Sequence, residues 1–399
     1  YTLVYTLSLH DALPIYLPPI VRSLLMPEKP LLRNAPNTWG QGQLLAFSGI
    51  DGRTDAARPF VLHTGTEKGS LEVKLPFPMD VGFSGMPELT FSCVLGDVLV
   101  ADSRDGAYRL AFLNHHTLVG EFPESANVLV DGKDCGAYSF LRGNDDVLLH
   151  IVTVGNRLAL QCCKHDAPCI TASELQQLDL DTLVRDRIAF VMNATLPTEL
   201  TPQQCRLARK ALSVMKVNTH SRSPAIPNRW STPDRWPHQH MWLWDSAFHA
   251  VGMACVNTEL AQEFLSAMLE KIQGDGFLPH TVFVDGSVSE VTQPPILAWA
   301  VGRVFDQCGD RAWLESCIPC LERYLNWNAV NRDRNGNGIP EWYIEGEPLC
   351  RCGESGQDNS SAYDRAVLLD APDFAAYMVN DYTCLARLAD SLGNSTLSS

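Results

Sequence analysis

TPQQCRLARKALSVM, residues 201–215, marks the point where the chain changes its period. Thr201, Pro202 and Gln204 read as a capping box with proline at the first helical position. Leu207, Ala208, Ala211, Leu212 and Met215 recur at helical spacing, which predicts that they form one face. Upstream, apolar residues come instead in short strand-like runs at 44–47, 60–63, 71–74, 89–94, 98–101, 108–112, 128–130 and 147–152. Asp51-Gly52, Asp105-Gly106, Asp131-Gly132 and Gly155-Asn156 punctuate these runs. Short strands at roughly ten-residue spacing with such turns predict an antiparallel β-sandwich. Downstream, the helical period continues at about 245–254, 257–272, 294–307, 311–331 and 372–392. Six helices with long connections are therefore expected, and the connections hold most of the unusual residues.

Composition narrows the function classes. At about 150 residues per domain, 399 residues suit two to three domains. Acidic residues exceed basic ones by 46 to 31, a formal charge of −15, which argues against nucleic acid or an anionic membrane as partner. The longest apolar runs fall short of the roughly 18 residues a membrane span needs. Thirteen cysteines form an odd set with scattered spacing, unlike a disulfide framework, so a reducing, cytoplasmic location is expected. The chain starts at Tyr1, and residues 1–15 lack the basic and small-residue features of a signal peptide. Residues 8–15, SLHDALPI, look like translated sequencing adapter, and together with the stop at Ser399 they suggest a gene fragment.

Four clusters in the helical half carry the chemistry. Residues 235–249, RWPHQHMWLWDSAFH, place Trp236, Trp242 and Trp244 beside Asp245. Indoles stack on the C–H faces of sugars and carboxylates accept sugar hydroxyls, so the mixture suits a carbohydrate pocket. The plainer alternative is that Asp245 caps its helix and the tryptophans pack inside. His238, His240 and His249 lack the partners of a standard zinc site. Residues 276–280, GFLPH, and 292–295, TQPP, read locally as turns, with the two prolines in a helix's first turn and Thr292 or Gln293 near its cap. Residues 333–341, DRNGNGIPE, follow the first half of a calcium loop but lack its bidentate twelfth position, and a metal-free Asn-Gly turn reads equally well. Residues 354–360, ESGQDNS, set Glu354 and Asp358 four apart. Cleaving a glycosidic bond takes a protonated carboxyl and a second carboxylate across the sugar. Cys317, Cys320, Cys350 and Cys352 match no standard zinc spacing, and neither a phosphate loop nor a Gly-x-Ser-x-Gly elbow is present.

Taken in order, WLWDSAF at 242–248, GFLPH, TQPP and ESGQDNS resemble the six-hairpin glycosidases. The likeness is greatest to glycoside hydrolase family 63 and its mannosylglycerate-hydrolase-like relatives, with trehalases further off. It covers residues 195–399, and the preceding sandwich also suits that family. The resemblance implies an (α/α)6 barrel and hydrolysis of α-glycosidic bonds with inversion. It makes Asp358 the general acid and Glu354 a neighbour that helps hold it protonated by like-charge repulsion. Trp244, Asp245 and Phe248 would line the pocket for the terminal sugar, with His280, Gln293, Trp299 and Trp342 as further contacts. Asp333, Asn335, Asn337, the carbonyl of Ile339 and Glu341 would form the structural calcium site of some relatives. No other cofactor is implied.

The expected division is then a non-native or disordered extension over residues 1–30, a β-sandwich over 31–194 and the first half of an (α/α)6 barrel over 195–399. A full barrel needs twelve helices against the six counted. The family's general base, a glutamate of the second half, is missing from this chain. An inverting enzyme needs that base about 6.5–9.5 Å from the acid. The expected protein is an inverting exo-acting α-glycosidase of the α-glucosidase or small-α-glycoside type, catalytically incomplete as this fragment, with large apolar helix faces exposed. Its partner is an oligosaccharide or small α-glycoside, with no nucleic acid and no membrane. Two rival readings remain: a non-catalytic carbohydrate-binding or scaffold protein, and a phosphorolytic or debranching member of the same superfamily.

Overall fold

The computed structural model describes residues 39–66, 69–84, 89–134, 140–143, 147–164, 168–345, 351–365 and 368–394. The expected extension at 1–30 and Cys350 lie outside them.

Among the described residues, the first half is built from thirteen strands. They are β1 (Leu44–Ala46), β2 (Val61–Thr64), β3 (Ser70–Leu75), β4 (Met79–Phe83), β5 (Leu89–Val94), β6 (Val98–Ser103) and β7 (Gly106–Asn114). Then come β8 (Thr117–Glu121), β9 (Val128–Val130), β10 (Lys133–Asp134), β11 (Phe140–Gly143), β12 (Leu148–Val154) and β13 (Arg157–Cys163). One sheet has the order β1-β2-β3-β4-β9-β10 and the other β11-β12-β13-β8-β7-β6-β5. Neighbours are antiparallel throughout, for which short turns suffice. The β9–β10 hairpin turns on Asp131 and Gly132, both at positive φ, as a two-residue turn matched to strand twist requires.

Alternation along the strands sorts the side chains into two layers. Tyr108, Leu110 and Phe112 of β7 join Leu62, Val73 and Val81 of the other sheet in one buried cluster. Ala111 points the other way, as do Val100 and Val119, and meets Val184, Ile188 and Val191. Those last three belong to α2 (Leu180–Met192), which with α1 (Ala172–Gln177) covers the outer face of the seven-stranded sheet.

The six expected helices follow. They are α3 (Pro202–Val217), α4 (Leu243–Ala254), α5 (Thr258–Leu269), α6 (Leu297–Cys308), α7 (Arg311–Asn331) and α8 (Pro372–Leu392). The Thr201/Gln204 capping box opens α3. The buried face of α3, however, is Leu212, Ser213, Lys216 and Val217, and Leu207 is exposed. A polar anchor rotates the helix away from the face its apolar residues predict. The fully buried Lys216 Nζ pairs with Asp97 at the β5–β6 turn, lies 2.9 Å from Asp51, and donates to the Arg187 carbonyl of α2 at 3.0 Å. A buried ammonium is tolerated only with such partners, and these bind α3 to the β half.

α4 to α8 share a core in which Phe264, Leu297, Val301, Leu314, Leu325 and Leu388 are fully buried. Three residues join α4 to α5 and two join α6 to α7, whereas long connections at 218–242, 270–296 and 332–371 lead into α4, α6 and α8. All four sequence clusters lie on these long connections or on the first two turns of the helix that follows. No helix among the described residues is long and apolar enough to cross a membrane. The second half does expose apolar side chains on α8, with Val379 at 67% and Tyr382 at 38%.

Candidate active site

α4 starts without a side-chain cap of its own, since its N-cap is Trp242. Its first N–H groups are satisfied from elsewhere. The Leu243 N–H donates to the His280 carbonyl at 3.0 Å, and the Trp244 N–H donates to Gln293 Oε1 at 3.0 Å. Strand pairing of Met241 and Trp242 with Val282 and Thr281 holds the same corner. The WLWD, FLPH and TQPP clusters are thereby joined at one helix end.

The fourth cluster joins through Glu354. Its fully buried carboxylate accepts from the Thr292 N–H at 3.0 Å, from the Tyr343 N–H at 2.9 Å, and from Arg332 in an ion pair. Burial raises its pKa against the pull of Arg332 and the two N–H groups. Arg332 in turn lies over the Trp327 ring, 5.0 Å from its centroid. Tyr324 Oη donates to the Gln293 carbonyl at 2.9 Å and lies 3.0 Å from Thr292 Oγ1. Two residues past Glu354 the loop turns on Gly356, whose φ is +69° and whose missing Cβ makes room for the Trp244 ring. The loop carrying Asp358 therefore rests on Trp244.

An aromatic arc follows from there. Trp244 meets Phe248 at 6.1 Å and Phe248 meets Trp299 of α6 at 5.7 Å, while Trp242 packs edge-on to His280 at 4.6 Å and His238 at 6.2 Å. Phe248 is 51% exposed, so the arc opens to solvent. Asp245, one residue beyond Trp244, is half-buried and its pKa is pushed up to about 6 by burial. Burial holds His280 neutral, with a pKa lowered to about 4. Asp358 is exposed by surface area, yet enough protein surrounds its carboxyl that desolvation raises its pKa. Its own backbone N–H and His238 pull the other way.

Several expectations change here. Asp245 is not the N-cap of α4; it is the third helical residue, and its carboxylate interacts with its own backbone N–H. Glu354 does not act on Asp358 by like-charge repulsion, because the group that raises Asp358 is burial and Glu354 is tied to Arg332. Trp342 is 1% exposed, stacked on Phe374 at 4.3 Å with its Nε1–H 3.1 Å from Asp373, so it is core and no contact for a sugar. The prolines of TQPP precede α6 and stand outside its first turn, since its N-cap is Ile296. Gln293 is nearly buried and serves the α4 terminus.

The Asn-Gly loop offers hard oxygen donors, but its acceptors are turned onto N–H groups. Asp333 accepts from Asn337 and Gly338, and Glu341 from Arg334 and Asn335. Asn337 Oδ1 takes the Ile339 N–H, and the Asn335 and Asn337 amides donate to Asp370. As arranged this set is a hydrogen-bonded turn and does not fit a cation cage. Nor do the three histidines converge, since His249 bonds Ser231 while His240 packs on Phe283. Among the described residues no three His, Cys, Asp or Glu side chains are placed to hold a metal ion.

Tyr324, Arg332 and Asp381 were not singled out by the sequence, which offers no local signal for partners so distant along the chain. Asp381 of α8 accepts from the Ala298 and Trp299 N–H groups, both at 2.9 Å.

Comparison with known proteins points to glycoside hydrolases. The family model for the mannosylglycerate hydrolase MGH1-like glycoside hydrolase domain matches residues 238–399. A glucosylglycerate hydrolase of Mycolicibacterium hassiacum is 31% identical over 162 residues, which cover 32% of this chain and 35% of that protein. A mannosylglycerate hydrolase of Thermus thermophilus is 29% identical over 180 residues, covering 39% of this chain and 40% of that protein. The chain thus spans less than half the length of these curated relatives. Among solved structures, a bacterial glucoamylase complexed with acarbose has a TM-score of 0.51 at 10% identity, over 90% of this chain and 65% of that one. At that identity the likeness concerns the fold alone, and it fits a helical barrel.

Proposed function

We propose, on the premise that residues 238–399 are a mannosylglycerate hydrolase MGH1-like glycoside hydrolase domain, that the chain belongs to an inverting α-glycosidase acting on small α-glycosides. The observation that carries this is the stitching of four separate clusters into one site, with the Asp358 loop lying on Trp244 beside Asp245. In this reading the two sheets are a sandwich domain ending near residue 194, and the helices from 195 onward are part of an (α/α)6 barrel.

The terminal sugar stacks in the arc of Trp244, Phe248 and Trp299, and Asp245 accepts its hydroxyls. Asp358 passes its proton to the glycosidic oxygen as the bond to the anomeric carbon breaks. Water attacks that carbon from the opposite face and gives its proton to a second carboxylate. In this reading that base is a glutamate, as the resemblance to glycoside hydrolase family 63 implies. Burial that raises the Asp358 pKa supports the acid role, because a general acid must hold its proton near the working pH. The names of the relatives make mannosylglycerate and glucosylglycerate the first substrates to try.

The test follows both compounds by NMR with the full-length enzyme. A free sugar that appears first in the β configuration supports inversion, and an α product refutes it. Asp358→Asn should lower hydrolysis by about 10²–10⁴-fold while binding persists. Retained turnover would remove Asp358 from the acid role.

A further inference from the structure

We propose that Asp381 is a positioning residue for the sugar site, its carboxylate acting as the N-cap of α6 from across the helical core and so fixing where Trp299 stands. This rests on the reading of the aromatic arc as a sugar site.

α6 begins at Leu297 after Ile296, which supplies no side-chain cap, so its first turn has N–H groups without local acceptors. Asp381 Oδ2 takes the Ala298 N–H and Oδ1 takes that of Trp299. These are the second and third helical positions, the ones an N-cap side chain ordinarily serves. Asp381 lies in the middle of α8, 82 residues beyond Trp299, and is fully buried. Its role is thus tertiary: it couples the position of α8 to the first turn of α6. The ring of Trp299 then meets Phe248, the exposed member of the arc.

The arrangement also responds to pH. Two converging N–H donors require two acceptor oxygens, so the ionised carboxylate caps both, whereas the protonated form presents a hydroxyl to one of them. Burial raises the Asp381 pKa to about 7, with the N–H groups of Trp299, Ala298 and Leu297 pulling it down. The titratable groups that sense its charge are Tyr324 from α7 and Cys384 from its own helix, and burial raises the pKa of both. The cap is therefore complete on the alkaline side of neutrality and partial on the acid side.

The protein would be labelled with 5-fluorotryptophan and its Trp299 resonance assigned with Trp299→Phe. That signal is followed by ¹⁹F NMR from about pH 5 to about pH 9, with the Trp230 resonance as a control for folding. Glucosylglycerate and mannosylglycerate serve as binding probes, with Asp381→Asn as the near-isosteric variant and Asp381→Ala as the full deletion. The expected result is a Trp299 signal that titrates near pH 7 in the parent and stays flat in Asp381→Asn. Affinity should fall about fivefold in that variant above neutrality and further in Asp381→Ala. A Trp299 signal that does not titrate, or unchanged affinity in Asp381→Asn, overturns the proposal. If the parent binds neither probe while Trp299 still tracks Asp381, the placement of Trp299 stands and the sugar reading is the one that fails.

Discussion

At the scale of single residues, Gly356 and Arg332 do more for the site than their bland chemistry suggests. Gly356→Ala would put a methyl group into the Trp244 ring on a backbone at φ +69°, a conformation costly for a residue with a Cβ. The variant should lose stability by about 1–3 kcal/mol and weaken sugar binding with it, measured by urea unfolding and calorimetric titration. Arg332→Met would strand the buried Glu354 carboxylate. Removing one partner of a buried pair costs about 3–5 kcal/mol, and adding Glu354→Gln should recover part of that loss. Asp245 makes a pH prediction with a definite sign. If its carboxylate accepts sugar hydroxyls, affinity should fall as pH drops through about 6, and Asp245→Asn should flatten that dependence. Asp381 adds a stability term of known direction. Its folded pKa of about 7 lies above the unfolded value of about 4, so ionising the buried carboxylate costs more than the completed cap returns, and stability falls as pH rises from about 4 to about 7.

At the scale of elements, the helix ends explain what could be read from the sequence. α1, α2, α3, α5 and α7 carry their own caps in Thr171, Asp179, Thr201, Asn257 and Asp310. The Thr201 capping box with Pro202 at the first helical position puts the start of α3 at 202, where it lies, and α7 is expected from 311 and starts there. α4 and α6 were placed at 245 and 294 and begin at 243 and 297. Both lack a local cap, and their acceptors, Gln293 and Asp381, come from elsewhere in the chain. A missing cap does not decide this alone, because α8 also lacks one and starts at 372 as expected, with Pro372 at its first helical position marking the start. α1 and α2 are not among the expected helices, although Leu180, Val184, Ile188 and Val191 stand at helical spacing; they pack on the outer face of the seven-stranded sheet, inside the stretch expected to be all β. The site clusters themselves were legible, since aromatic residues beside single acids are rare enough to stand out. Which of them face the pocket was not. Trp342 and Trp299 look alike in sequence, and only packing sends one under Phe374 and the other against Phe248.

At the scale of the whole molecule, the β half and the helical half share polar anchors. Lys216 reaches Asp97 and Asp51, and Arg235 donates to the Phe47 and Val217 carbonyls at 2.9 and 2.6 Å. Cutting the chain between residues 194 and 195 should therefore leave Asp97 and Lys216 buried without partners. Neither piece should be soluble and cooperatively folded alone, which circular dichroism and size-exclusion chromatography would check. Two independently folding pieces would show that these anchors are dispensable. The central claim, that the four clusters form one sugar site with Asp358 as its acid, is tested most directly by calorimetric titration of the intact chain with mannosylglycerate and glucosylglycerate. The account predicts that the parent and Asp358→Asn bind one of them with similar affinity, and that Trp244→Ala binds it about tenfold more weakly, a loss of about 1.4 kcal/mol. Equal binding by Trp244→Ala, or no binding of either compound by the parent chain, would contradict it.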